Sequence, residues 1–123
     1  MIAASLHGLE LAPLPGRMAA DPLPAAAEHG MAVRVVVVTE QRRTLHLHPH
    51  SAELIHVVEG RGEHWQGDER RAVAAGDLVL VPAGVPHATV AAPGERLRLL
   101  CAFPHPDLAA NQAETATEVR FGG

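Results

Sequence analysis

The sequence predicts an all-β domain, a sandwich or barrel of short strands, from three observations. Short runs rich in Val, Leu and Ile recur at near-regular spacing between Ala32 and Phe103. Gly, Pro and Asp turn residues bound these runs, which are too short to establish a helical period. At 123 residues and 47% hydrophobic, one domain can bury a core without a disulfide or a structural zinc.

Residues 1–30 form an arm carrying four prolines, Pro13, Pro15, Pro22 and Pro24. Proline removes ladder donors and blocks helix interiors, so the arm is expected to be extended rather than a packed element. Its leucines, Leu6, Leu9, Leu11 and Leu14, need cover from the core or from a second subunit, which points to a homodimer. Residues 31–104 carry the strands. Val33–Thr39 is β-branched, Thr44–His48 alternates polar and apolar, and Glu53–Val58 is apolar up to the Glu59-Gly60-Arg61-Gly62 turn signal. Glu63–Gln66, Leu78–Val81, His87–Ala91 and Arg96–Phe103 continue a series of seven or eight strands. The tail, 105–123, is polar, with a short helix expected around Leu108–Thr115.

Composition excludes several function classes. A net charge of −4 argues against nucleic acid or an anionic membrane surface as partner. All ten cations are Arg, so lysine Schiff-base chemistry is excluded. Tyr is absent, and Trp65, Phe103 and Phe121 are the only aromatics, too few for a carbohydrate or base-stacking surface. The single Cys101 rules out an intrachain disulfide and CxxC motifs. No apolar run approaches the ~20 residues of a membrane span, and the N-terminus lacks the pattern of a signal peptide. A cytoplasmic protein is the expectation.

The outstanding feature is nine histidines. His46 and His48 sit two apart in a β-patterned stretch, so both imidazoles share one face, and Leu45 and Leu47 take the other. With Glu53 and His87 they form a borderline N/O ligand set. Such a set suits one divalent transition metal, whether Fe, Mn, Co, Ni, Cu or Zn. A rival register pairing His48 with His50 leaves only two residues before Glu53 and fits less well.

The spacing resembles the two motifs of the cupin superfamily, in its small single-domain form. The first block reads His46-Leu47-His48, four residues, Glu53, six residues, Gly60. The second reads Gly76, five residues, Pro82-Ala83-Gly84, two residues, His87, with 15 residues between the blocks. The chain departs from the family pattern at Glu40, where a glycine is usual, and at Ala91, where an asparagine often stands. The resemblance implies a jelly-roll β-barrel, one divalent metal held in its interior by His46, His48, Glu53 and His87, and frequent homodimers.

Beyond the ligands, His50, His56 and Arg98 are the candidates for catalysis. His50 lies in the loop after the ligand pair, near the mouth of the site. Alternation from Glu53 turns His56 to the other face, and His56 and His64 read as exposed or interface histidines. Arg98, if it points inward, would clamp a substrate carboxylate; otherwise it is a solvated outer-face guanidinium. Cys101 reads as a small core residue and Trp65 as packing on the barrel or a dimer interface. His7, His29 and His105 read as surface residues. The leading function is a metal-dependent enzyme acting on a small organic substrate, with oxygenase-type chemistry at Fe(II) first. The alternatives are a metal-assisted lyase or isomerase and a non-catalytic small-molecule-binding or sensor module. A lining of Val, Leu and Ala predicts a modest, fairly apolar substrate rather than a polyanion.

Overall fold

The computed structural model describes residues 1–123 as two antiparallel sheets packed face to face. The strands are β1 (Ala12–Leu14), β2 (Arg17–Ala20), β3 (Ala32–Val38), β4 (Arg42–Leu47), β5 (Glu53–Glu59) and β6 (Arg61–Gln66). They continue with β7 (Glu69–Ala74), β8 (Leu78–Val81), β9 (His87–Ala91), β10 (Leu97–Phe103) and β11 (Ala113–Arg120). A 3-10 helix, Pro24–His29, links β2 to β3 and ends on Gly30 in the left-handed region. The first sheet runs β1-β2-β3-β10-β5-β8 and the second β11-β4-β9-β6-β7. This two-sheet jelly roll is the all-β architecture that the strand spacing predicts. No helix is long and apolar enough to cross a membrane.

Alternation along β10 sends Leu97, Leu99, Cys101 and Phe103 inward. They pack with Val36, Val38, Ile55, Val57 and Val81 of the first sheet and with Val73 and Ala91 of the second. The main core therefore lies between the sheets. A smaller cluster of Leu45, Ala88, Val90 and Val119, with Trp65 and Phe121 against it, covers the outer face of the second sheet. Gly62 marks a close approach of two strands: a Cβ there would stand 2.0 Å from the main-chain oxygen of Val90.

The structure differs from expectation at both ends. Residues 12–20 of the arm form a hairpin, and β2 pairs with β3 through Met18–Val37, Ala19–Val36 and Ala20–Val35. The prolines are accommodated because this hairpin lies at a sheet edge, where a missing donor costs nothing. Leu6, Leu9, Leu11 and Leu14 are half-buried on their own chain. In the tail, the expected helix is replaced by a turn followed by β11, which pairs with β4. β11 conceals its nature because only Val119 on it is buried. β7 is equally concealed, its charged residues facing out and Val73 alone buried.

Candidate metal centre

Three strands bring the four chemically distinctive residues together. β4 and β9 are neighbours with His46 opposite His87, and His48 follows directly on the end of β4. Glu53 opens β5 in the facing sheet, so its carboxylate crosses the space between the sheets to meet the imidazoles. One ligand atom from each of His46, His48, Glu53 and His87 lies within 4.8 Å of all the others, and all four residues are buried. The ring centroids of His46 and His87 are 4.3 Å apart, and that of His48 lies 5.2 and 5.0 Å from them.

The hydrogen bonds fix which nitrogen faces the centre. His48 Nδ1–H donates to the Asn111 main-chain oxygen at 2.8 Å, and His87 Nδ1–H donates to that of Val85 at 2.9 Å. A carbonyl can only accept, so the lone pair of each ring sits on Nε2. His87 Nε2 is 2.8 Å from Glu53 Oε1. His48 Nε2 is 3.1 Å from the same oxygen but out of line for a hydrogen bond, so it is left buried without a partner, as is His46 Nδ1. Buried orphan nitrogens are costly, and a cation at the meeting point satisfies lone pairs that the protein leaves open. The three-His, one-carboxylate set thus fits a divalent metal.

Electrostatics favour the same state. Burial alone would raise the Glu53 carboxyl, but hydrogen bonding and positive charge from His48 and His87, which act when these rings carry a proton on Nε2 as well, outweigh it and hold the group well below the usual carboxylate range; a cation at the same point would act in the same direction. Burial, followed by the charge of Arg43, holds His46 far below the ordinary imidazole range and so leaves it neutral for ligation. Burial, with the nearby Glu53 charge, pushes the Cys101 thiol up, which makes it an inert neighbour.

The centre lies in a narrow cavity of about 30 Å³. Val36, Ile55, Leu99 and Phe103 make its apolar side, whereas Arg17, Arg34 and Arg43 make a cationic side. The apolar lining expected from the sequence is therefore only half of the wall. Strict alternation from His46 would send Arg43 outward. Arg43 nonetheless lines the cavity, where its side chain lies against the β1–β2 turn at Gly16. The arginines left no motif in the sequence, and Arg17 sits in the arm read as extended.

The other candidates are dispersed. His50 is exposed and stacks on His105 at 5.7 Å. His56 and Arg98 do not line the cavity, and the Arg98 guanidinium hydrogen-bonds the main-chain oxygen of Leu6 on the outer side. His64, expected at the surface, is buried, because its position on β6 faces inward. Its Nε2–H donates to Gln66 Oε1 at 2.9 Å, which leaves Nδ1 to accept from the Thr89 hydroxyl at 2.9 Å. Thr89 itself lines the cavity.

The sequence profile described as "Cupin domain" matches residues 33–103, more than half of the chain. No curated protein matches by sequence. Among solved structures, KdgF from Halomonas sp. superposes with a TM-score of 0.69 at 20% identity, covering 85% of this chain and 94% of its own. The polyketide cyclase RemF from Streptomyces resistomycificus gives 0.71 at 19% identity, over 87% of this chain and 80% of its own. A Lactobacillus farciminis oxalate decarboxylase, as its formate complex, gives 0.72 at 21% identity over 86% of this chain. Here the chain spans only 33% of the decarboxylase. At these identities the likeness is one of fold.

Proposed function

The chain belongs to the Cupin domain family, and from that premise we propose that it is a metal-dependent enzyme performing oxygenase-type chemistry on a small organic substrate. The observation that carries this reading is the placement of four buried donors at one side of a cavity that opens to solvent. A site meant only to hold the fold together is closed by protein ligands on every side, whereas this one leaves a face toward the cavity. A divalent metal held by His46, His48, Glu53 and His87 would supply Lewis-acid polarisation of a substrate oxygen and, if redox-active, electron exchange with dioxygen. Asn111 and Val85 present main-chain oxygens that hold His48 and His87 in one tautomer and orientation. Leu99 and Phe103 exclude water from one wall.

A lyase or isomerase is the second reading, favoured by the Thr89–His64–Gln66 chain. Its Thr89 oxygen meets the cavity and its buried imidazole can take a proton relayed through that oxygen. The homodimer also remains part of the proposal. Leu54, Leu78 and Leu80 are 44, 61 and 62% exposed on the paired strands β5 and β8, and a second copy would cover them.

Metal analysis of protein purified without added metal, followed by oxygen uptake against small acids and diketones, tests the function. The expected result is about one divalent metal per chain and uptake with at least one compound. Substrate consumption without oxygen uptake replaces the oxygenase reading with the lyase or isomerase one. Stoichiometric metal with no turnover leaves a binding module.

A further inference from the structure

The cationic wall of the cavity has more positive charge than the chain neutralises. Three arginines line it, and the only carboxylate in the lining, Glu53, is hydrogen-bonded to His87 with His48 beside it. Arg34 has its own partner outside, with Nε and Nη2 bonded to the two oxygens of Asp21 at 2.8 and 3.1 Å. Arg17 and Arg43 have none. The Arg17 side chain donates only to the main-chain oxygen of Pro15, at 2.8 Å. Arg43 is 9% exposed and makes no hydrogen bond or ion pair within the chain. A buried cation without an anion is a costly arrangement, and a second cation beside it makes it costlier.

The β1–β2 hairpin maintains this arrangement. Its turn residue Gly16 has a φ of +74°, and a Cβ there would stand 3.3 Å from Arg43 Cγ and 3.7 Å from Arg43 Nε. The hairpin backbone therefore lies directly against the Arg43 side chain, and the next residue, Arg17, enters the same cavity. Burial first, then the charge of Arg17, pushes Arg43 down to about 10, which still leaves it cationic at neutral pH.

We propose that Arg17 and Arg43 form a seat for the carboxylate of a small organic acid, so that the N-terminal hairpin is a working part of the binding site. A carboxylate is favoured because its two coplanar oxygens match the guanidinium fork. The apolar side of the cavity at Val36, Leu99 and Phe103 accommodates a short carbon skeleton. Its small volume and the Glu53 charge across it disfavour a polyanion. The seat deepens the proposed function by naming the substrate class, but it depends on the arginines and not on a metal.

The test follows the arginine Nε–H resonances by NMR in the full-length protein, both metal-free and loaded with zinc. Acetate, acetamide and inorganic phosphate are titrated in turn at constant ionic strength. Acetate is expected to shift two arginine signals, which Arg17→Gln and Arg43→Gln assign by deleting one each, and acetamide to shift neither. Arg43→Gln should weaken acetate about tenfold or more and Arg17→Gln about three- to tenfold, with or without zinc. Arg61→Gln, on the surface beside Glu95, should change nothing. Arg43→Lys, which keeps the charge and loses the fork, should fall between wild type and Arg43→Gln and covers the case in which the glutamine variant does not fold. Acetate affinity within twofold of wild type in both Arg43 variants overturns the proposal. Arginine-dependent binding of phosphate in preference to acetate overturns its carboxylate assignment. Failure to bind zinc with the acetate response intact removes the metal reading and leaves the seat. Zinc binding without an acetate response does the reverse.

Discussion

His48 Nδ1–H donates to the main-chain oxygen of Asn111 at 2.8 Å, joining positions 63 residues apart. The Asn111 side chain doubles the link: its Oδ1 accepts from the His50 main-chain N–H and its Nδ2 donates to Ser51 Oγ, both at 2.8 Å. Asn111 is fully buried. Asn111, in the turn ahead of β11, thus fixes the tautomer of His48 and the course of the loop from His48 to Glu53.

Replacing Asn111 by Ala should therefore affect folding and the site together. Two buried hydrogen bonds are lost and their partners in the loop are left open, an expected cost of about 1–3 kcal/mol. With the loop loosened, His48 is less well aimed, and zinc affinity should fall by about tenfold, the lower end of losses for groups that orient a ligand. Urea unfolding of the metal-free protein and a zinc competition titration measure the two effects. Unchanged zinc affinity at reduced stability would mean that the main-chain oxygen holds His48 without help from the side chain.

The readability of each feature from sequence follows its physics. A two-residue period places His46 and His48 on one face whatever the rest of the chain does. The turn residues around Gly60, Gly76 and Pro82–Gly84 punctuate the strands that carry Glu53 and His87 toward them. Arg43 was not legible, because alternation sends it outward and its neighbour at the cavity is the β1–β2 turn, in a segment read as an extended arm. Arg17 was hidden by the prolines of the arm, which suit an edge hairpin as well as an extended segment. Asn111 meets His48 through its main-chain oxygen and the loop through its amide, contacts across about 60 residues that no local pattern reports. His64 was legible in principle: counting in twos from Gly62 puts both on the inward face, and both are buried.

Gly62 provides a test of the packing between β6 and β9. A methyl group there meets the Val90 carbonyl at 2.0 Å, and the obstacle is backbone inside a hydrogen-bonded ladder. Gly62→Ala should destabilise by at least the ~3 kcal/mol upper end of ordinary overpacking. Chemical denaturation measures it. A loss under about 1 kcal/mol would show that the two strands can separate without disrupting the fold.

The metal-free protein should lose stability in acid from about pH 6.5 downward. Burial lowers His64 against an opposing hydrogen bond to Gln66, and burial with Arg43 lowers His46. An unfolded chain protonates these histidines near pH 6.5 while the folded one resists, so the unfolded state binds more protons and each histidine contributes a slope of at most about 1.4 kcal/mol per pH unit. Glu53, held low in the fold, contributes above its unfolded value near pH 4.3 and loses that contribution as the pH falls further. Urea midpoints at pH 8, 6, 5 and 4 should therefore decline monotonically. His64→Gln should flatten the decline between pH 6 and 5, and an unaltered slope would show that His64 takes up its proton in the folded state.

Ligand substitutions separate metal binding from folding. His46→Ala and His87→Ala each remove one imidazole from the adjacent pair on β4 and β9 and should abolish measurable zinc binding, a loss well beyond the ~10–100-fold of an outer-shell change. The fold should survive both, because the core of Val36, Val38, Val57, Leu97 and Leu99 lies between the sheets and does not use the metal. Glu53→Gln is the sharper probe. It preserves volume while removing the one anionic donor, so zinc affinity should fall at least tenfold with thermal unfolding still cooperative. The metal-free variant should also lose less stability than the metal-free wild type as the pH falls below about 4.3, since the group that resists protonation is gone. Unfolded histidine variants alongside an equally unstable metal-free wild type would make the metal a structural element. Zinc affinity unchanged in all three variants would place the metal, and with it the chemistry, elsewhere in the chain.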